Sequence, residues 1–178
     1  MPIKRRFNFD PASLSPEEQQ QLGRLVSWWG YLEYQAAVLV RVCSNGMSKE
    51  DMWLSLIGSE VRTLTKMLRA LAFTDHWIKD RSFREEIDLF ADDFEKAATD
   101  RNVHVHGVYG YVENNQARRV RFSFTPRGHR ATPGFVRLDE AQLTGLADKA
   151  EELLRRAQDL TDRLKPYMKG QRKASKKK

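Results

Sequence analysis

The chain has almost no cysteine and no long hydrophobic run. Cys43 is the single cysteine in 178 residues, which excludes an intramolecular disulfide and a zinc site built from several cysteines. No apolar stretch reaches the roughly 18 residues that a membrane span needs. The first residues also lack the apolar segment of a signal peptide. We therefore expect a cytoplasmic protein without a membrane segment.

Composition and length favour one folded domain. Hydrophobic residues make up 40% of the chain and charged residues 31%, which excludes a wholly disordered protein. A length of 178 residues predicts a single domain. We expect an irregular arm over residues 1–14, a helical domain over residues 15–168 and a disordered basic tail over residues 169–178.

Acidic residues are missing from two segments, which shows where the net charge of +7 lies. The last ten residues contain six basic side chains and no acid, so the rest of the chain has 25 basic and 24 acidic residues. Such a tail is typical of a solvated chain end, although it also attracts nucleic acid of any sequence. Residues 116–137 have no acid either, and their six arginines are Arg118, Arg119, Arg121, Arg127, Arg130 and Arg137.

An acidic stretch precedes this basic one along the chain. Residues 75–100 contain nine acids against four bases. A basic segment beside an acidic helix is typical of proteins that bind polyanions. Charge complementarity between neighbouring elements is the alternative explanation.

Capping signals and apolar spacing predict the helices. Ser15 before Pro16 starts the first helix, and apolar residues at helical spacing continue it to Cys43. A second start at Ser48 precedes a stripe that includes Leu54 and that Gly58 interrupts. Two longer helices follow, with apolar positions at 83, 87, 90, 94 and 97, and at 143, 146, 150, 153, 157, 160, 164 and 167. This alternation of three and four is typical of a bundle helix, and a dimer seam is the alternative for the last one.

A β-hairpin is predicted over about residues 108–125, between the last two helices. Val120 and Phe122 alternate there with Arg119 and Arg121, which is the periodicity of a strand with one apolar and one basic face. An Asn-Asn pair at 114–115 supplies the turn. The fold class that we expect is therefore mainly α-helical, a four- to five-helix bundle with a small β-hairpin inserted before the last helix.

The stretch Asp100-Arg101-Asn102-Val103-His104-Val105-His106-Gly107 carries the most informative motif. Arg101, followed by Asn102, precedes His106, followed by Gly107, with four residues between Arg101 and His106. This pattern resembles the signature of the HEPN superfamily, in which an arginine, usually followed by a small polar residue, precedes a histidine. Arg69 and His76 also satisfy the bare arginine-to-histidine spacing, but the flanking Asn and Gly accompany the Arg101 occurrence alone.

The resemblance implies a metal-independent endoribonuclease of the toxin or defence type, without a cofactor. His106 would accept the 2′-hydroxyl proton of RNA or assist the leaving group, Arg101 would stabilise the charged phosphate, and Asn102 would position them. DNA would not react, because it lacks the 2′-hydroxyl. The resemblance also implies a homodimer with a composite cleft, and an antitoxin or regulatory protein as partner. Where some members carry a tyrosine that a partner enzyme modifies, this chain has Val108 followed by Tyr109, which argues against that kind of antitoxin.

The same residues also have a structural interpretation. Near the C-terminal end of a helix, Arg101 and the histidines meet the negative end of the dipole, and Gly107 is an ordinary helix terminator. Arg101 lies on the continuation of the apolar face of its helix, so a structural role would pair it with a buried acid. Glu33 is the candidate for that acid. Glu33 and His104 are thus candidate supporting residues of the site. The aromatic cluster around Glu33 is expected in the core rather than as a base-stacking platform, and consists of Trp28, Trp29, Tyr31 and Tyr34.

Two further alternatives concern metal and RNA binding. His104 and His106 alternate with valines, as two ligands on one strand face would. No nearby Cys, Asp or Glu completes such a set, so we expect no metal site. The candidate contacts to the RNA backbone are Arg118, Arg119, Arg121 and Arg127. Alternatively, these arginines form the solvated face of an amphipathic hairpin.

The leading functional hypothesis is an endoribonuclease whose partner is RNA. The first alternative is a catalytically silent HEPN-like module that binds nucleic acid or a protein. The second alternative is a helical adaptor with a purely structural role.

Overall fold

The protein is mainly α-helical, as the sequence predicts. The computed structural model describes residues 7–9, 14–44, 47–74, 78–105, 108–112, 118–123, 134–137 and 140–175, with the backbone alone for the strands, for residues 74 and 103 and for residues 166–175. Its helices are α1 (Pro16–Cys43), α2 (Lys49–Ser55), α3 (Val61–Thr74), α4 (Arg81–Val105) and α5 (Glu140–Ser175). Its strands are β1 (Phe7–Phe9), β2 (Val108–Val112), β3 (Arg118–Ser123) and β4 (Gly134–Arg137).

Side-chain caps begin α1 and α2 where the sequence predicts them. The Ser15 hydroxyl accepts the Glu18 amide at 3.1 Å, and the Glu18 carboxylate accepts the Ser15 amide at 2.7 Å. Ser48 and Asp51 form the same reciprocal pair at the start of α2. Each pair satisfies two backbone donors that have no partner inside the helix.

A turn after α2 separates it from α3. Gly58 has a φ of +83°, a left-handed conformation that glycine adopts without steric cost. Met52 and Leu56, one helical turn apart, define the buried side of α2. Leu54 falls on the opposite side and is 86% exposed, so its predicted place in a buried stripe is wrong.

The chain forms two compact units. One consists of Met1–Val26 with Thr99–Asp148, and the other of Ser27–Ala98 with Lys149–Lys178. We refer to them as unit 1 and unit 2.

Unit 1 contains a four-stranded antiparallel sheet in the order β1-β2-β3-β4. The predicted hairpin is present as β2 and β3, while its Asn-Asn turn lies outside the described residues. The expectation of an irregular arm over residues 1–14 is wrong at β1, which pairs with β2. With three residues, β1 is too short to show strand periodicity, and it acquires its hydrogen bonds from a segment about one hundred residues away.

The core of unit 2 is built on the predicted apolar face of α4. All five predicted positions of α4 are buried, and Phe94 contacts both Trp29 and Phe90, with ring centroids 5.5 and 5.8 Å apart. The apolar stripe of α5 is already buried within the single chain, without a second copy. Its buried positions in unit 2 are Ala150, Leu153, Ala157, Leu160 and Leu164. The stripe of α5 in unit 2 therefore belongs to the bundle core and is not a dimer seam.

Two sequence expectations about the long helices α1 and α5 are wrong. Tyr31 and Tyr34 were expected in the core with Trp29, but both are exposed, Tyr31 by 63%. The tail expected to be disordered over residues 169–178 is helical up to Ser175, where α5 ends. Once a helix is nucleated by packing, each further residue adds a hydrogen bond at little entropic cost, and lysines favour the negative end of the dipole.

Ion pairs join α4 to α5 inside unit 2. The Asp93 carboxylate accepts a hydrogen bond from Arg156 at 2.5 Å, and Arg163 donates two bonds to Glu86 at 2.6 and 3.0 Å. These hydrogen bonds lower the pKa of Glu86 and of Asp93 and raise the pKa of Arg163. All of these side chains are at least one-third exposed, so solvent weakens each pair to roughly 0.5 kcal/mol.

We expect Gly58→Ala to lower the free energy of unfolding by about 1 kcal/mol, because a Cβ disfavours the left-handed backbone. Gly145→Ala, in α5 with open space where its Cβ would lie, should instead raise it by about 0.5–1 kcal/mol. Urea denaturation followed by circular dichroism measures both. Equal effects of the two substitutions would contradict the left-handed assignment.

Stability should also fall in acid through the α4–α5 pairs. Because the folded-state pKa values of Glu86 and Asp93 are lowered from 4.5 and 3.8, their contribution is present above those values and is lost as the pH falls through the folded-state values. Between pH 6 and pH 3, the free energy of unfolding of the double variant Glu86→Gln/Asp93→Asn should fall by roughly 1 kcal/mol less than that of the wild type. Urea denaturation at each pH measures it. Glu85→Gln on the same helix is the matched control, and an unchanged pH dependence in the double variant would refute the assignment.

Candidate active site

The C-terminal end of α4 carries Arg101 and Asn102. The Arg101 guanidinium donates from Nη1 to the Asn102 Oδ1 at 2.9 Å. Arg101 is half-buried and Asn102 is exposed. A guanidinium has five N–H donors in a fixed fork, so a bond to Asn102 orients the group and is compatible with contact to a phosphate.

The structure describes one of the two motif histidines, His104. His104 is 7% exposed. Around the axis of a helix, its direction differs from that of Asn102 by about 160°. This burial favours a structural role for His104 in the last turn of α4, where a basic group is stabilised by the helix dipole. A general acid or base must come within hydrogen-bond distance of the substrate, so a catalytic role for His104 stays a prediction that the structure does not test. His106 and Gly107 lie outside the described residues.

The basic hairpin belongs to the same unit as Arg101. The register pairs Tyr109 with Arg121 and Tyr111 with Arg119. Because successive residues of a strand alternate between faces, these four positions share one face of the sheet. Arg118 holds a position on the other face, and Arg127 lies outside the described residues.

Sequence reasoning overlooked the two tyrosine positions of this face. The spacing of Tyr109 and Tyr111 in the segment Val-Tyr-Gly-Tyr-Val was the available signal. Their relation to Arg119 and Arg121 depends on the strand register, which a single sequence does not specify.

Glu33 lies in unit 2 and has a partner there. The Trp29 indole Nε1 donates to the Glu33 Oε1 at 2.7 Å. A buried indole N–H needs an acceptor, so this carboxylate serves the core packing of Trp29. Its predicted pairing with Arg101 stays untested.

The competing Arg69 motif has a structural explanation. Arg69 donates to Asp88, Asp92 and Glu95, three acids on one side of α4. These carboxylates accept from the guanidinium N–H groups that a catalytic arginine would offer to a phosphate. His76, the other half of that motif, lies outside the described residues.

Two other features, a metal site and a membrane-spanning helix, are absent from the part of the chain that the structure describes. No group of three or more His, Cys, Asp or Glu side chains there has the geometry to hold a metal ion. No helix among those residues is both long and apolar enough to cross a bilayer.

A comparison with protein-family models gives no match, and comparisons with curated proteins and with solved structures give no significant match. The assignment of the site therefore depends on its own residues.

We expect His104→Ala to lower the free energy of unfolding by about 1–3 kcal/mol, because it removes a buried side chain. Asn102→Ala is the exposed control and should change it by less than about 0.5 kcal/mol. Urea denaturation measures both changes. An unchanged stability of His104→Ala, together with a loss of RNA cleavage, would instead make His104 the acid–base group.

Proposed function

We propose that the chain is a metal-independent endoribonuclease of the HEPN type. The observation that carries this proposal is the hydrogen-bonded Arg101–Asn102 pair at the end of α4, four residues before His106 in the sequence. Arg101 contributes a positive charge where phosphate charge develops. Asn102 orients the guanidinium, and His106 transfers the proton.

The proposed reaction is an internal transfer at phosphorus. The 2′-oxygen of one nucleotide attacks the adjacent phosphorus, the new P–O2′ bond forms, and the P–O5′ bond breaks. In one route the imidazole of His106 accepts the 2′-hydroxyl proton and water protonates the departing 5′-oxygen. In the other route the imidazolium protonates the 5′-oxygen and water takes the 2′-hydroxyl proton. The products are a 2′,3′-cyclic phosphate and a 5′-hydroxyl, with no metal or cofactor required.

Charge considerations favour arginine as the anion-binding group. The C-terminal end of a helix carries partial negative charge, which by itself repels a phosphate. Binding at this end of α4 therefore needs cationic side chains, and Arg101 is one. Arg119 and Arg121 would supply two more, on the sheet face that also carries Tyr109 and Tyr111.

This sheet face fits a single-stranded substrate. Nucleic-acid surfaces of this kind combine arginines that follow the phosphates with aromatic rings on which bases stack. Tyr109 and Tyr111 hold the aromatic positions and Arg119 and Arg121 the basic ones. Arg118 and Arg127 remain proposed flanking contacts.

Other parts of the proposal come from the resemblance alone. They are a cytoplasmic homodimer that forms a composite cleft, a role as a toxin or in bacterial defence, and a regulatory partner such as an antitoxin.

The test is incubation with structured and unstructured RNA in EDTA. Wild-type protein should leave 2′,3′-cyclic ends, and a DNA strand of the same sequence should stay intact. Arg101→Ala and His106→Ala should lower the cleavage rate by about 100-fold or more, as removal of a proton-transfer or charge-stabilising group does. Asn102→Ala should have a smaller effect, because it acts through Arg101.

The matched controls are His76→Ala and Arg62→Ala, which remove the same residue types elsewhere. Both variants should cleave at the wild-type rate. Intact RNA that still binds in a salt-dependent manner would identify a silent binding module instead. Absence of both cleavage and salt-dependent binding would favour the structural adaptor.

A further inference from the structure

A row of aromatic rings, three of them exposed and Trp28 half-buried, runs across α1 and α2 in unit 2. Its members, which we call the aromatic row, are Trp28, Tyr31, Tyr34 and Trp53. The Trp28 and Tyr31 ring centroids are 6.3 Å apart, and those of Tyr34 and Trp53 are 5.8 Å apart. Tyr31 and Tyr34 are neighbours on the helix surface at a spacing of three residues.

This row concentrates the exposed apolar surface. Seven large hydrophobic side chains are exposed in the described part of the chain, and three of them, Tyr31, Tyr34 and Trp53, belong to the row. Leu54, next to Trp53 in the sequence, is a fourth. Trp53 is 48% exposed although it is one of the most costly side chains to leave in water. Contiguous exposed apolar surface of this kind marks an interaction site.

A small cavity adjoins the row. It has a volume of about 160 Å³, and Tyr34 forms one wall together with Gly30, Gly58, Ser59 and Ile57. Glu33 also lines it. The Trp29 indole holds one oxygen of this carboxylate, so the group is oriented before any ligand arrives.

The charge of the cavity lining is negative. Glu33 is the one charged residue among the described residues that line it. Along the chain, residues 48–60 hold Glu50, Asp51 and Glu60 against Lys49, and Arg62 follows in α3. A phosphate backbone is repelled by such a surface, since single-stranded nucleic acid binds along positive grooves.

We propose that the aromatic row and the Glu33 cavity bind a basic peptide segment of a partner protein, with an arginine or lysine side chain in the cavity. The cationic group would pair with the Glu33 carboxylate, and neighbouring cations would lie over the exposed rings. Complementary charge and aromatic surface favour this partner over RNA. The proposal is independent of ribonuclease activity, because it uses none of the motif residues.

The experiment measures binding of a fluorescent ten-residue peptide of alternating arginine and alanine to the full chain. The comparison peptide replaces arginine with citrulline, which keeps the shape and removes the charge. We expect fluorescence anisotropy to show binding of the arginine peptide, weakened at least about fivefold in the citrulline peptide.

Substitutions locate the site. Glu33→Gln keeps an oxygen for the Trp29 indole but removes the charge, and it should weaken peptide binding about fivefold. Trp53→Ala should also weaken it about fivefold. The matched controls, Phe73→Ala and Glu85→Gln, remove an exposed aromatic ring and a carboxylate elsewhere in unit 2 and should bind as wild type does.

Several results would overturn the proposal. Absence of peptide binding, equal binding of the citrulline peptide, or binding that Glu33→Gln and Trp53→Ala leave unchanged would each do so. Tighter binding of a uridine oligonucleotide that depends on Trp53 would assign the surface to RNA. A dimer that Tyr31→Ala dissociates in sedimentation would assign it to a second copy of the chain.

Discussion

Burial of Trp29 is the constraint on which much of unit 2 depends. Its ring packs against Phe94 of α4, and its indole N–H requires the Glu33 carboxylate one helical turn away. With Trp29 and Leu32 facing inward, the helical repeat turns Tyr31 and Tyr34 toward the opposite side. The packing of Trp29 thus fixes this part of the core, the orientation of Glu33 and the exposure of Tyr31 and Tyr34.

Charge in unit 2 is largely balanced within the fold. Acids of α4 pair with Arg156 and Arg163 from α5 and with Arg69 from α3. Acids of the acidic stretch therefore contribute to contacts between neighbouring helices, while complementarity with the basic segment 116–137 stays a prediction. Arg69, despite its spacing to a histidine, takes part in this pairing through three acids of α4.

Part of the candidate site was accessible from sequence and part was not. The motif singled out Arg101 and Asn102 because their flanking residues distinguish them from Arg69. The burial of His104 depends on packing, which the alternation of valine and histidine in the sequence does not disclose. Tyr109 and Tyr111 join Arg119 and Arg121 on one face through strand register, a long-range property that no local pattern encodes.

The sequence by itself determined the helix starts, the interruption at Gly58, the apolar face of α4 and the hairpin, because caps, turn residues and periodicity act over a few neighbouring residues. Tertiary structure decided the pairing of β1, the exposure of Leu54, the outward position of Tyr31 and the continuation of α5 to Ser175. These features depend on contacts between distant segments, whose free energies outweigh local preference and are not visible in a window of sequence.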